Sequence, residues 1–195
     1  MFDNKHVNLY NLFIDKHKCS ILKIRWLKIF KYEQNEKKEI IYMQSYTQSQ
    51  VNPEIPGIIL MSHGAFAVGL TDTVKMLFGS PENLAAFSLE PGDDIDEFRK
   101  LFVKSFESFP KGTVVMVDLF GGTPCNQALQ YAQESGNTFE LITGLNLPML
   151  LSACIARQNK YGKELSLEAM ENAKTGVSRV DIEAFLADDD EEEDE

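Results

Sequence analysis

Two short runs of apolar side chains, Ile58-Ile-Leu-Met61 and Thr113-Val-Val-Met-Val117, constrain this chain more than any other feature. A continuous apolar run of four or five residues suits a strand covered on both faces, since a half-exposed strand would alternate with polar residues. Strand signals recur at Leu84–Leu89, which the Pro91-Gly92 turn ends, and at Phe139–Thr143. Helical periodicity fills the intervals. Residues 66–78 carry Val68, Leu70, Val74, Leu77 and Phe78 towards one side, with Gly79 as the stop. Ile95 to Phe106 follows, with Asp93, Asp94, Asp96 and Glu97 about its first turn, where the helix dipole favours negative charge. Further helices are predicted over 124–134, with Pro124 near the first position, over 148–158 and over 165–173. Val177–Phe185 alternates partially, as a last strand would. The strand–helix order implies a doubly wound α/β fold, with a mostly parallel sheet and helices on both faces.

The flanks differ from this body. The chain has 195 residues and a net charge of −11, divided as +4 over residues 1–39, −5 over 40–180 and −10 over 181–195. The expected organisation is an N-terminal extension and linker over 1–54, a domain over 55–186 and an acidic tail over 187–195. The extension reads as a tail or as the product of an early start codon. A basic amphipathic helix at Ile21–Phe30 competes with that reading, but its apolar residues fall nearly all round the helix. No apolar run approaches the roughly 18 residues of a membrane span. An acidic domain offers no counterion-releasing surface to phosphate backbones, so nucleic acid is not an expected partner. Cys19, Cys125 and Cys154 are an odd number at wide spacings, which indicates neither a disulfide framework nor a zinc site and suits a reducing cytoplasm.

In an open parallel sheet, ligands sit beyond the carboxyl ends of the strands, at the point where the strand order reverses. Those ends carry Ser62-His63-Gly64 and Asp118-Leu-Phe-Gly-Gly-Thr-Pro124. His63 is the one histidine after residue 42, and a neutral imidazole can donate from one nitrogen and attack with the other. A carboxylate at Asp118 would fix the tautomer by accepting from Nδ1–H, leaving the Nε2 lone pair free. Alternatively, His63 merely ends a strand and Asp118 caps a turn. Gly121-Gly122-Thr123-Pro124, between a strand and a helix, supplies amides and a hydroxyl fit for an anion, although Gly-Gly before a helix is often only a tight turn. Neither a Walker A loop nor a G-x-G-x-x-G fingerprint occurs, so no nucleotide, metal or other cofactor is expected.

Three segments, Ile59-Leu-Met-Ser-His-Gly64, Val117-Asp-Leu-Phe-Gly-Gly-Thr-Pro-Cys-Asn126 and Gly144-Leu-Asn-Leu-Pro-Met-Leu150, together resemble the IIA components of the mannose-type branch of the bacterial phosphoenolpyruvate-dependent sugar phosphotransferase system. The resemblance spans about residues 57–180. It implies a cytoplasmic homodimer with a five-stranded sheet whose last, antiparallel strand is exchanged between subunits, Val177–Phe185 being the candidate. It implies that His63 accepts a phosphoryl group at Nε2 from the phosphohistidine of HPr and passes it to a histidine of a IIB component, with the membrane components IIC and IID involved indirectly. Asp118 is then the orienting carboxylate. Ser62, Gly64, Gly121, Gly122 and Thr123 form the expected phosphoryl-binding set, and Phe66, Phe120, Leu145 and Leu147 the expected docking rim, with a place in the core as the alternative for those four.

Departures from the family pattern are local. Residues 1–54 lie outside it, an acidic tail stands where fused members have a linker to IIB, so that a separate IIB is expected, and Phe120 stands where several members carry Trp. A phosphoryl-donor subunit of dihydroxyacetone kinases is a rival with a similar His-containing domain, and Gly121–Pro124 argues against it. Two further rivals are a regulatory module using the same rim and a flavin- or nucleotide-binding module of the same architecture.

Overall fold

Residues 43–48, 50–183 and 185 are described in the structure, a computed structural model, and the expected tails over 1–42 and 187–195 lie outside them. Strands β1 (Gln44–Tyr46), β2 (Ile58–His63), β3 (Leu84–Leu89), β4 (Val114–Val117) and β5 (Glu140–Thr143) form one sheet in the order β1-β3-β2-β4-β5. The last four are parallel, and β1 runs antiparallel along β3. Five helices flank the sheet: α1 (Phe66–Phe78), α2 (Ile95–Ser108), α3 (Thr123–Ser135), α4 (Leu147–Ala156) and α5 (Gly162–Thr175).

The continuous apolar runs are explained by two cores on opposite faces of the sheet. Ile58, Leu60, Leu84, Ala86, Val114 and Met116 meet α1, α4 and α5 on one face. The alternate residues Ile59, Met61, Ala85, Phe87, Val115 and Val117 meet α2 and α3 on the other, through Phe98, Phe102 and Tyr131. Burying each large side chain contributes about 1.5–3 kcal/mol, so this double coverage dictates the register of every central strand. The acidic first turn of α2 also has a local cause: the Asp94 carboxylate accepts from the amides of Asp96 and Glu97 at 2.8 and 3.3 Å.

Both ends of the fold depart from the sequence reading. The antiparallel strand is Gln44–Tyr46, in the segment expected to be a polar linker, and Ser45 stands opposite Phe87. Gln44 and Ser45 are exposed and only Tyr46 is half-buried, so this edge strand carries no apolar pattern. Here the ladder is reinforced by Lys75 Nζ, 3.7 Å from the centre of the Tyr46 ring, and by Gln48 Nε2 donating to the Pro81 carbonyl at 2.5 Å. The stretch 177–180, by contrast, joins no strand among the described residues, and Ile182, Glu183 and Phe185 are helical. Among the described residues the outer edge of β5 stays unpaired, and Val177, Val180, Ile182 and Phe185 are left exposed.

Asn83 ties residues 50–56 to the sheet. It is fully buried at φ 47°, its Oδ1 accepts from the Asn52 amide at 2.8 Å, and its Nδ2 donates to the carbonyls of Asn52 and Ile55 at 2.7 and 2.5 Å. Asn83→Ala removes all three bonds and places a side chain without compensation in the left-handed region. The expected loss is about 2–4 kcal/mol in urea unfolding, together with new protease cleavage between residues 43 and 56. Unchanged stability and unchanged cleavage contradict this role.

Candidate functional site

The chain runs from β2 to β3 on one side and then crosses to β4 on the other, so the strand order reverses between β2 and β4. Their pairing sets Met61 opposite Val117, and each strand then runs one or two residues further to a polar side chain. Asp118 is fixed from both neighbours. Its amide donates to the Met61 carbonyl at 3.3 Å, and its own carbonyl accepts from the Gly144 amide at 3.2 Å.

The Asp118 carboxylate gathers three donors. Oδ2 accepts from the backbone amide of His63 at 2.8 Å and lies 2.9 Å from His63 Nδ1, while Oδ1 accepts from the amide of Leu119 at 2.8 Å. An ionised carboxylate only accepts, so the neutral imidazole carries its proton on Nδ1 and leaves a lone pair on Nε2. The His63 side chain is 45% exposed and that of Asp118 19%, so the imidazole is reachable while the carboxylate beside it is sheltered. The expected pair is therefore brought together.

Four helices, α1, α2, α3 and α4, start on this edge, and the fate of their first-turn amides decides where an anion fits. At α1 the amides of Ala67 and Val68 donate to the hydroxyls of Ser62 and Ser88 at 2.7 and 3.3 Å. At α2 Asp94 takes two amides, and at α4 Asn146 Oδ1 takes that of Met149 at 2.9 Å. At α3 the N-cap is Gly122 and no side chain caps it. Gly121 and Thr123 stand at this opening, and Asn126 Nδ2 braces it by donating to the Gly121 carbonyl at 3.0 Å. A helix start with uncapped amides and a hydroxyl is a seat for a phosphate-sized anion.

Several expected site residues prove to be internal. Ser62 is fully buried, and its hydroxyl is spent on α1. Gly64 donates its amide to the Leu89 carbonyl at 2.8 Å and serves the turn through its φ of 58°. Neither offers a group to a phosphoryl oxygen. Gly122 donates to the Leu119 carbonyl at 3.3 Å. Of the expected rim, Phe66 and Phe120 are 44% and 76% exposed, whereas Leu145 is 5% exposed in the core and Leu147 is half-buried against it. The reason is the β5–α4 turn, whose Leu145 amide donates back to the Val117 carbonyl at 3.0 Å and draws the side chain inward. Leu119, not singled out from the sequence, takes their place on the surface at 61% exposure. The signal for it was an apolar residue directly after the orienting carboxylate.

Asp118→Asn is expected to cost about 1–3 kcal/mol, because one carboxamide oxygen cannot serve both the His63 and Leu119 amides. The same change removes the acceptor that holds the proton on Nδ1. Nitrogen-15 NMR of the imidazole is expected to show a single Nδ1–H tautomer in the parent and a mixed or inverted population in the variant. An unchanged tautomer would mean that Asp118 does not orient the ring.

A family model described as EIIA-man, PTS system fructose IIA component, matches residues 57–171. The PTS system fructose-specific EIIA component of Bacillus subtilis (strain 168) is 31% identical over 143 residues, covering 71% of this chain and 97% of that protein. The PTS system mannose-specific EIIAB component of Escherichia coli (strain K12) is 30% identical over 123 residues, covering 62% of this chain but only 38% of that longer protein. A crystal structure of the phosphotransferase system component EIIA from Streptococcus agalactiae is similar with a TM-score of 0.59 at 25% identity, covering 63% of this chain and 95% of that one.

Proposed function

Because the chain belongs to the EIIA-man family, the mannose-type IIA components of the sugar phosphotransferase system, we propose that it carries a phosphoryl group on His63, taken from phospho-HPr and handed to a IIB component. The observation that carries this reading is the Asp118 carboxylate 2.9 Å from Nδ1 of an exposed imidazole, beside the one helix start on that edge that no side chain caps.

The chemistry is a pair of reversible in-line transfers. In the first, the Nε2 lone pair of His63 attacks phosphorus, a new N–P bond forms and the N–P bond to the donor imidazole breaks. No proton has to move, since Nδ1 already holds one, and the positive charge that develops on the ring faces Asp118. Thr123 and the Gly121 amide stabilise the three equatorial oxygens, which carry most of the charge in a loose transition state. The second transfer is the same step with His63 as the donor. Positioning is the main contribution, as the protein supplies geometry rather than covalent chemistry of its own beyond the imidazole.

Phe66, Leu119 and Phe120 supply an apolar rim at the same edge, suited to brief docking of small protein partners. Residues 55–186 form the IIA domain in this reading, in a cytoplasmic homodimer, with Val177–Phe185 as the segment that a second copy covers. The exposure of its four apolar side chains supports that assignment. No helix among the described residues is long and apolar enough to cross a membrane.

Incubation with phosphoenolpyruvate, the first enzyme of the system and HPr tests the relay by intact mass. The parent is expected to gain one acid-labile phosphoryl group, and His63→Ala none. A parent that stays uncharged while a known IIA is charged in the same tube would overturn the reading.

A further inference from the structure

The His63 imidazole is held on a second side that Asp118 does not supply. A Cβ placed on Gly122 would stand 2.5 Å from His63 Cε1 and 3.3 Å from Nε2, so the ring rests against the bare α-carbon of this residue. The same distances place Nε2 at the N-cap of α3, where the uncapped amides begin.

The backbone does not require glycine there. Gly122 lies at φ −69° and ψ 165°, extended backbone that any residue adopts, and the next nearest obstacle is the Leu119 carbonyl oxygen at 3.4 Å. Its neighbour is the reverse case. Gly121 sits at φ 76° with nothing within 4 Å of a Cβ, so the turn needs glycine while the surroundings do not.

We infer that Gly122 is a positioning residue for His63: its missing side chain is the space the imidazole occupies, and it keeps Nδ1 on Asp118 and Nε2 at the start of α3. A methyl group at this position would lie well inside van der Waals contact with the ring. The ring would then have to rotate or move, losing either its carboxylate or its aim. The effect on transfer rests on the phosphoryl-relay reading, whereas the effect on the imidazole does not.

Three readouts test the assignment. In Gly122→Ala, nitrogen-15 NMR is expected to show loss of the single Nδ1–H tautomer of His63. The rate of charging by phospho-HPr is expected to fall by about 100-fold, the scale set by a misplacement of roughly 1 Å. Gly121→Ala is expected to lower Tm through its left-handed backbone while the His63 tautomer stays that of the parent. The third readout covers a variant that folds poorly. If the ring is the cause, Gly122→Ala costs stability in the parent but nothing when made in His63→Ala, where the space is vacant. A parent-like tautomer in Gly122→Ala, or an equal loss of stability in both backgrounds, would overturn the inference. A parent that cannot be charged at all would sink the relay reading alone, because the tautomer and the stability cycle would still decide the role of Gly122.

Discussion

Three donors on two oxygens of Asp118 form the constraint on which the rest of the site depends. Two of those donors are the amide and the imidazole of His63 at the end of β2, and the third is the Leu119 amide at the start of the β4–α3 loop, so one carboxylate locks two strand ends together. Charge-assisted bonds of this kind are stronger than neutral ones and poorly replaced by an amide of the same shape. The geometry is only available because β2 and β4 are adjacent and parallel, with Met61 opposite Val117. That pairing follows from apolar residues buried on both faces. Core packing thus sets the sheet, the sheet sets the strand ends, and the strand ends set the tautomer.

The division of labour among helix starts on this edge is the second organising feature. Ser62 and Ser88, Asp94 and Asn146 consume first-turn amides at α1, α2 and α4, which removes three competing anion seats. Only α3 keeps a glycine cap, and the imidazole lies directly over it. The buried Ser62 hydroxyl beside His63 therefore closes off the start of α1 and leaves that of α3 open.

Much of this was legible in the sequence. The four parallel strands were read to within two residues because two-sided burial leaves a continuous apolar run, and the convergence of His63 with Asp118 followed from where such strands end. The edge strand β1 was not legible, since Gln44-Ser45-Tyr46 carries no apolar pattern and is held by a ladder and by Lys75 from α1. Val177–Phe185 shows the opposite case, an alternation that joins no strand among the described residues. The direction of individual groups was also hidden. Ser62, Gly64 and Leu145 lie in the right loops, but only the hydrogen bonds show that the first two are spent internally and that the third is drawn into the core.

In the proposed relay, Asp118 reserves Nδ1 and leaves Nε2 as the nucleophile. That assignment is tested most directly by charging isotope-labelled protein and reading the phosphohistidine by phosphorus-31 and nitrogen-15 NMR. A single species is expected, with phosphorus coupled to Nε2 of His63 and a proton retained on Nδ1. Phosphorus on Nδ1, or on any residue other than His63, would contradict it.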